Sequence, residues 1–375
     1  MSALMEHSKQ TSRETMFPGI FDVEIHAHVP NSTILTRLPQ RFRPAYQAGG
    51  MAHGKLNFDQ RGGGNRKDAS AGAESDPAAI RRELLEPLGI CRAILTGGNY
   101  DTSIYADLDL CSALAAAYNA ALIEEFLPGD DAFLGTLRLN FNDPEAAVAE
   151  IERWADHPRV AGITTSTAGI ETPGSRRYDP IFAAAAEAGF IISYHTTQEG
   201  RALCPPPSSA GYPSRYVEYH SGLATSAIGH AASLITNGVF ARHPKLRVLY
   251  LEGGIAWALP LMWQLDADWR RFRSEVPELK ERPSEYLRRH IHFTTQPIEE
   301  PDNGRDLLAV YKAIGVERNI VFSTDFPHWD FDHPDRFLPS CFSRAQRERI
   351  LYHNAAGLYD RSLQSWPLAR SEVAV

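Results

Sequence analysis

The chain of 375 residues carries 38 Lys and Arg against 46 Asp and Glu, a formal net charge of −8, and its isoelectric point is near 6.0. That balance, with no lysine- or arginine-rich run, excludes the basic footprint of a nucleic-acid binder or an anionic-membrane binder. Hydrophobic residues make up 43%, enough at this length for one large core or two small ones, so small-molecule chemistry is the default expectation.

Residues 1–18 read as a flexible tail with no apolar stretch able to act as a signal peptide. From there, short β-rich runs alternate with segments of helical periodicity. The strands are predicted at 20–29 (IFDVEIHAHV), 90–97, 133–141, 160–167, 190–197, 246–254, 290–297 and 319–328. Helices are predicted at 76–89, with Asp76 as N-cap, then around 107–126, 143–156 and 179–189, and later at 221–241, 256–273, 303–314 and 343–353. Eight strands alternating with helices, none with strict polar alternation, predict a (β/α)8 TIM-type barrel over residues 19–360, with a doubly wound open sheet as the other topology of this pattern. Residues 361–375 read as a C-terminal tail.

Two stretches break the alternation. Residues 30–75, which include YQAGGMAHGKLNFDQRGGGNRKDAS, form a long glycine-rich insertion after strand one, where a barrel builds its active-site face, and are expected either to cover the site as a lid or to be a solvated loop. The stretch CPPPSSAGYPSRYVEYHSG follows strand five, and its tyrosines are candidates to wall a pocket or to line a loop. The longest apolar run, Val248 to Leu265, contains Glu252, two glycines and Pro260, which argues against a membrane span. Cys91, Cys111, Cys204 and Cys341 are widely spaced without a CxxC pair, so no disulfide framework or zinc knuckle is implied and a cytoplasmic setting is expected.

In the first strand Glu24, His26 and His28 fall at every second position, which in a strand places them on one face. Two imidazoles and a carboxylate facing a barrel interior leave several polar groups unsatisfied unless something binds them, and a divalent metal is the ligand such groups share. His195, Glu252 and Asp325 lie at the C-terminal ends of strands five, six and eight, whose ends ring the same mouth in a barrel. His220, in VEYHSG, is a further candidate.

EIHAHVP, YHTT, GHAASLITNGVFARHPKLRVLYLEGG, FSTDFPHWDFDHP and LYHNAAGLY together resemble the amidohydrolase superfamily, in particular the branch that includes aminocarboxymuconate semialdehyde decarboxylase. The resemblance spans roughly residues 20 to 360 and implies that His26, His28, His195 and Asp325 bind a catalytic divalent metal, with Asp325 also able to take a proton from water at that metal. Two positions depart from the common pattern: Glu252 stands where many members carry His, and Glu24 where many carry Asp. The strand-four segment GITTST has no lysine to serve as a carbamylated bridge between two metals.

Read from the residues alone, Glu24, His26, His28, His195, Glu252 and Asp325 are the candidate ligands, and Asp325, Glu252 and His220 the candidate catalytic groups. One ion needs three or four ligands; the surplus either orients the histidines or holds a second ion. The mixed nitrogen and oxygen set suits Zn, Mn or Fe. Of the remaining histidines, His157, His243, His290 and His292 are expected at the far end, His230 in core packing, and His328 either beside the metal or in a structural role.

There is no GxSxG elbow, no GxxxxGK[ST] loop and no GxGxxG between strand and helix, and GGGNRK lacks the flanking elements of a phosphate loop. Three functions fit. The first is a metal-dependent hydrolase or non-oxidative decarboxylase of a small organic acid. The second is a dinuclear non-haem monooxygenase, in which Glu24, Glu252 and His220 hold a second, redox-active ion. The third is a non-catalytic barrel subunit with a structural metal. A small-molecule substrate is expected, with no nucleic-acid or membrane partner, and either homo- or hetero-oligomers are compatible with the sequence.

Overall fold

A computed structural model describes residues 17–47, 64–97, 101–200 and 203–368. Eight parallel strands lie in sequential order: β1 Ile20–Ile25, β2 Ile90–Leu95, β3 Phe133–Leu137, β4 Val160–Ser166, β5 Ile191–His195, β6 Arg247–Leu251, β7 Ile291–Thr294 and β8 Ile320–Val321. The Val23 amide donates to the Phe322 carbonyl at 3.1 Å and Ile25 forms a parallel bridge with Phe326, which closes the sheet. The predicted (β/α)8 barrel is therefore observed and the open sheet is not.

The apolar runs divide between two layers. Phe21, Val23, Ile94, Leu134, Ala161, Ile191, Leu249, Leu251 and Val321 share one cluster with Leu358 and Tyr359, while Ile25, Leu95, Phe133, Ile163, Ile192, Tyr250 and Phe293 join the larger cluster with the helices. This alternation is the period-two pattern of a strand buried on both faces. Side-chain caps begin several helices: Asp76 accepts from Ala78, Asp107 from Leu110 and Asp143 from Ala146. By length and composition the helix Leu108–Gly129 is apolar enough to cross a membrane, yet 72% of its most apolar window is buried inside the fold, as suits a helix packed on a barrel.

Several elements differ from their predicted limits. Strand eight is predicted over 319–328, but the regular strand ends at Val321; beyond it backbone pairing with β1 is limited to Phe322 and Phe326, and the backbone turns at Asp325, whose φ is +61°. His290 ends a helix, Pro283–His290, rather than opening strand seven; it completes the buried stripe of Pro283, Tyr286 and Leu287, one helical turn on. The predicted helix 221–241 is broken at Gly238, with φ +69°, into Ala224–Thr236 and Val239–Arg242. The expected tail at 361 is instead part of a helix, Asp360–Ser365, held at the barrel base where buried Arg92 donates to the carbonyls of Asp131 and Trp366.

The insertion after β1 begins with the helix Asn31–Arg37, a 3-10 turn of helix at Gln40–Phe42 and a short α-helix, Arg43–Gln47. Residues 48–63 lie outside the described part of the chain. Its return segment docks on the chain that follows β8: the Arg66 amide donates to the Pro327 carbonyl (2.7 Å), the Trp329 amide to the Gly64 carbonyl (2.9 Å), and the Arg66 guanidinium lies 4.0 Å from the Phe331 ring centre. The two loops thus form one wall of the upper mouth.

Close approach of β4 and β5 depends on one residue without a side chain. A Cβ on Gly162 would lie 2.2 Å from the Ile191 carbonyl oxygen, far inside contact distance. Gly162→Ala should therefore lower the urea midpoint and cost about 1–3 kcal/mol or more; an unchanged midpoint would show that the pair of strands can separate freely.

Candidate metal centre

The first strand changes phase where it matters. Phe21 and Val23 point into the barrel cluster, whereas Ile25 and Ala27 join the outer one. The pairing with β2 shifts register between Asp22 and Ile25, and this extra residue turns Glu24 and His26 toward the interior together. Asp22 fastens the irregularity: its carboxylate accepts from the Glu24 amide (3.1 Å), the Thr324 amide (3.1 Å) and the Thr324 hydroxyl (2.5 Å). β1 and the end of β8 are thereby held together directly beneath Glu24 and Asp325.

Above that staple six side chains converge in two overlapping groups, Glu24, His26, His195 and Glu252, and His26, Glu252, Asp325 and His328, each with ligand atoms within 4.8 Å of one another. His26 Nε2 lies 3.3 Å from His195 Nε2, 3.1 Å from Glu252 Oε1, 3.0 Å from Asp325 Oδ1 and 3.8 Å from Glu24 Oε1. His195 Nε2 is 2.8 Å from Glu252 Oε1 and 3.5 Å from Glu24 Oε1. Such separations are those of atoms that each sit about 2.0–2.2 Å from a shared ion. Glu24 is fully buried and neither of its oxygens accepts a hydrogen bond. A carboxylate removed from water with no donor is costly by several kcal/mol, so the donor set fits a divalent cation.

The charges point to the same conclusion. Burial, then the neighbouring Glu252, Asp325 and Asp22 carboxylates, push Glu24 well above the usual carboxylate range. Burial and Glu252 raise Asp325 as well. Burial opposes ionisation of Glu252 too, but His195, His26 and His328 hold it well below its ordinary value. His328 is raised: burial works against its charge and is outweighed by Asp325, 2.8 Å away, and by Glu252. Without a cation the cluster retains protons, and a bound cation takes their place.

Both Glu252 and Asp325 adopt left-handed backbone conformations, with φ +51° and +61°. Non-glycine residues there are uncommon, and each follows a barrel strand at the site where its carboxylate must swing across the mouth.

Of the ligands predicted from sequence, Glu24, His26, His195, Glu252 and Asp325 meet, and His28 does not. β1 ends at Ile25, the Ala27 amide folds back to the Ile25 carbonyl and the His28 amide pairs with Glu74, so the alternation that predicted a shared face no longer applies at residue 28. His220 stands outside both ligand groups; its Nε2 pairs with Asp330 Oδ2 at 3.1 Å, which with burial opposed raises its pKa. His328, 2.8 Å from Asp325, joins the second group. Asp22, Thr324 and Asp330 were not anticipated, although the acid- and histidine-rich DFPHWDFDHP was the signal that more than Asp325 gathers after β8. Tyr194 and Trp257 pack against Tyr250 in the outer core, while Tyr216, one of the tyrosines after strand five, accepts from Trp329 Nε1 (3.1 Å) near His220.

With the barrel and its cluster of acids and imidazoles in place, the amidohydrolase family profile matches residues 23–361. The chain belongs to the amidohydrolase family. It is similar to the gamma-resorcylate decarboxylase of Rhizobium sp. (strain MTP-10005), 26% identical over 297 residues that cover 74% of this chain and 86% of that protein. In fold it is similar to an amidohydrolase from Mycobacterium avium subsp. paratuberculosis K-10, with TM-score 0.71 and 20% identity over 91% of this chain and 99% of that one. It is also similar to a 5-carboxyvanillate decarboxylase from Novosphingobium aromaticivorans DSM 12444, complexed with manganese and 4-hydroxy-3-methoxy-5-nitrobenzoic acid (TM-score 0.67, 18% identity, 92% and 97% covered). Family membership makes the amidohydrolase an enzyme suited to a divalent metal and favours neither the oxygen-activating nor the non-catalytic reading.

Replacing the orphaned acid separates metal binding from folding. Glu24→Gln removes a charge that only a cation compensates, so metal affinity should fall about 10–100-fold while the Tm of the chelator-treated protein stays equal or rises. Full metal retention in that variant, read by elemental analysis after dialysis, would remove Glu24 from the site.

Proposed function

We propose that this amidohydrolase is a divalent-metal-dependent carboxy-lyase that releases carbon dioxide from a small phenolic or related organic acid. The observation that carries the reading is the convergence of Glu24, His26, His195 and Glu252, with Asp325 3.0 Å from His26, around a space where Glu24 has no hydrogen-bond donor. The names of the relatives supply the reaction class, since gamma-resorcylate and 5-carboxyvanillate are aromatic acids and one relative was captured with manganese and such an acid.

Glu24, His26, His195 and Glu252 would hold the ion, with Asp325 beside them, 3.0 Å from His26. A divalent ion held there would polarise the substrate's oxygens and offset the charge that builds as the carbon–carbon bond breaks. The carboxyl carbon leaves as carbon dioxide, its bonding electrons stay on the substrate carbon, and that carbon takes up a proton. Asp325, hydrogen-bonded to His328 at 2.8 Å, is the proposed donor, with His328 supplying the proton in turn. Glu252, at the strand-six position, orients His26 and His195, whose Nε2 atoms lie 3.1 and 2.8 Å from its Oε1. The half-buried His220–Asp330 pair connects this interior to solvent. Trp329 and Tyr216 beside that pair offer flat surfaces to an aromatic ring. Were water rather than a carboxylate bound, the same acids would take its proton, which is the hydrolytic variant of the reaction.

We further propose manganese, zinc or iron as the ion. The overlap of two donor groups at His26 and Glu252 supports room for a second ion served by His328. The four free cysteines, without a pair among them, support a reducing, cytoplasmic setting.

Two measurements test the reading. Chelator dialysis should abolish carbon dioxide release from ortho-hydroxybenzoates and re-addition of Mn²⁺ should restore it, with no oxygen consumed during turnover. Asp325→Asn should fold normally yet lose about 10²–10⁴-fold in kcat; full activity in that variant, or obligate oxygen uptake, would refute the carboxy-lyase assignment.

A further inference from the structure

We propose that the opposite, N-terminal mouth of the barrel binds a small polyanion, a phosphorylated or polycarboxylate compound of metabolite size, in a preformed basic cavity. This inference does not rest on the reaction proposed above.

The cavity holds about 460 Å³ and opens at the start of the strands: Ile191 and Arg247 begin β5 and β6, His292 is the second residue of β7, and Arg318 stands just before β8. Arg247 opens β6 and Glu252 directly follows it, roughly 17 Å of strand apart, so this site and the metal centre occupy different ends of the barrel. Five cationic side chains line it, Lys245, Arg247, Arg318, Arg349 and Arg361, against the two carboxylates of Glu317 and Asp360. That local excess of positive charge occurs on a chain whose overall charge is −8.

The carboxylates do not resolve the excess. Glu317 pairs with Arg349 at 3.1 Å, and Arg361 is held by the Val160 carbonyl and the Phe190 ring. Among the described residues Lys245, Arg247 and Arg318 have no ion-pair partner. Backbone carbonyls instead fix two of the guanidinium groups: Arg247 donates to Pro244 (3.2 Å) and Leu246 (3.0 Å), Arg318 to Arg289 (3.3 Å). Burial, with Arg318 and Arg289 nearby, lowers the Arg247 pKa, which is the electrostatic cost of crowding like charges. Fixed, mutually repelling guanidinium groups around a concavity concentrate positive potential there, and an anion relieves it.

The floor adds a second, independent indication. His292, 3% exposed, lies against the backbone of Val248 and His290, and the buried side-chain oxygen of Asn354, which also lines the cavity, has no hydrogen-bond partner. An unpartnered acceptor beneath a basic rim fits a ligand with a hydroxyl or protonated group at one end and charge at the other.

The test is titration calorimetry on the metal-loaded protein with a hexose bisphosphate, a hexose monophosphate and tricarballylate. Expected are saturable binding, tighter for the bisphosphate than the monophosphate, weakening with added salt, and a loss of about tenfold or more in Arg247→Gln/Arg318→Gln. Preference for tricarballylate assigns the polycarboxylate class, and preference for the bisphosphate the phosphorylated one. Arg318→Gln alone, at an exposed position, keeps the test intact should the double variant not fold. Absence of saturable binding by all three probes, unchanged affinity in a folded variant, or capture of oligoglutamate in preference to every small anion would overturn the proposal.

Discussion

Six ionisable side chains share one buried volume at the upper end of the barrel, and three of them are carboxylates. Packing Glu24, Glu252 and Asp325 together away from water is tolerable only if protons or a cation intervene, because like charges in a low-dielectric setting repel strongly. His26, His195 and His328 supply partial compensation through contacts of 2.8–3.1 Å to the other two acids, yet Glu24 has no hydrogen bond, its nearest imidazole nitrogens lying 3.5 and 3.8 Å away. That unsatisfied acid organises the remainder of the upper mouth. The register shift in β1, the Asp22–Thr324 staple beneath it and the two left-handed strand ends all serve to bring charged groups nearer than an unassisted fold would hold them.

The barrel makes such an arrangement possible by dividing its duties. Inward apolar residues from Phe21 to Val321, plugged below by Leu358 and Tyr359, supply the hydrophobic burial, while the strand ends carry the polar groups. Energy from the core can offset the strained conformations of Glu252 and Asp325. At the mouth, chemistry passes from strands to loops. The chain after β8 contributes Asp325, His328, Trp329 and Asp330, the loop after β5 contributes His220 and Tyr216, and the return of the β1 insertion locks onto the first of these through Gly64, Asn65 and Arg66.

The two ends of the barrel carry opposite charge. Acids and imidazoles suited to a cation occupy the upper end, and arginines with a neutral histidine floor occupy the lower. Parallel strands give every β-element the same polarity, so residues at strand starts and strand ends are sorted into separate faces without any further constraint. Arg247 and Glu252 show this on a single strand.

The barrel was legible in the sequence because eight apolar runs and intervening amphipathic segments are local patterns, set by strand and helix periodicity. Glu24, His26, His195, Glu252 and Asp325 were legible for the same reason: an acid or imidazole at the end of an apolar strand is conspicuous before any folding is known. Tertiary structure alone decided which of them meet. His28 kept the right spacing but lost its strand, since hydrogen bonding to Glu74 replaced the ladder, and His328 entered because Asp325 turns the chain sharply after β8. The Asp22–Thr324 staple joins residues 302 positions apart, and the basic lower cavity collects side chains from β5, β6, β7 and the chain on either side of β8. Periodicity reports which face a residue occupies within its own element; closure of the barrel determines what stands opposite, and that pairing has no local signature.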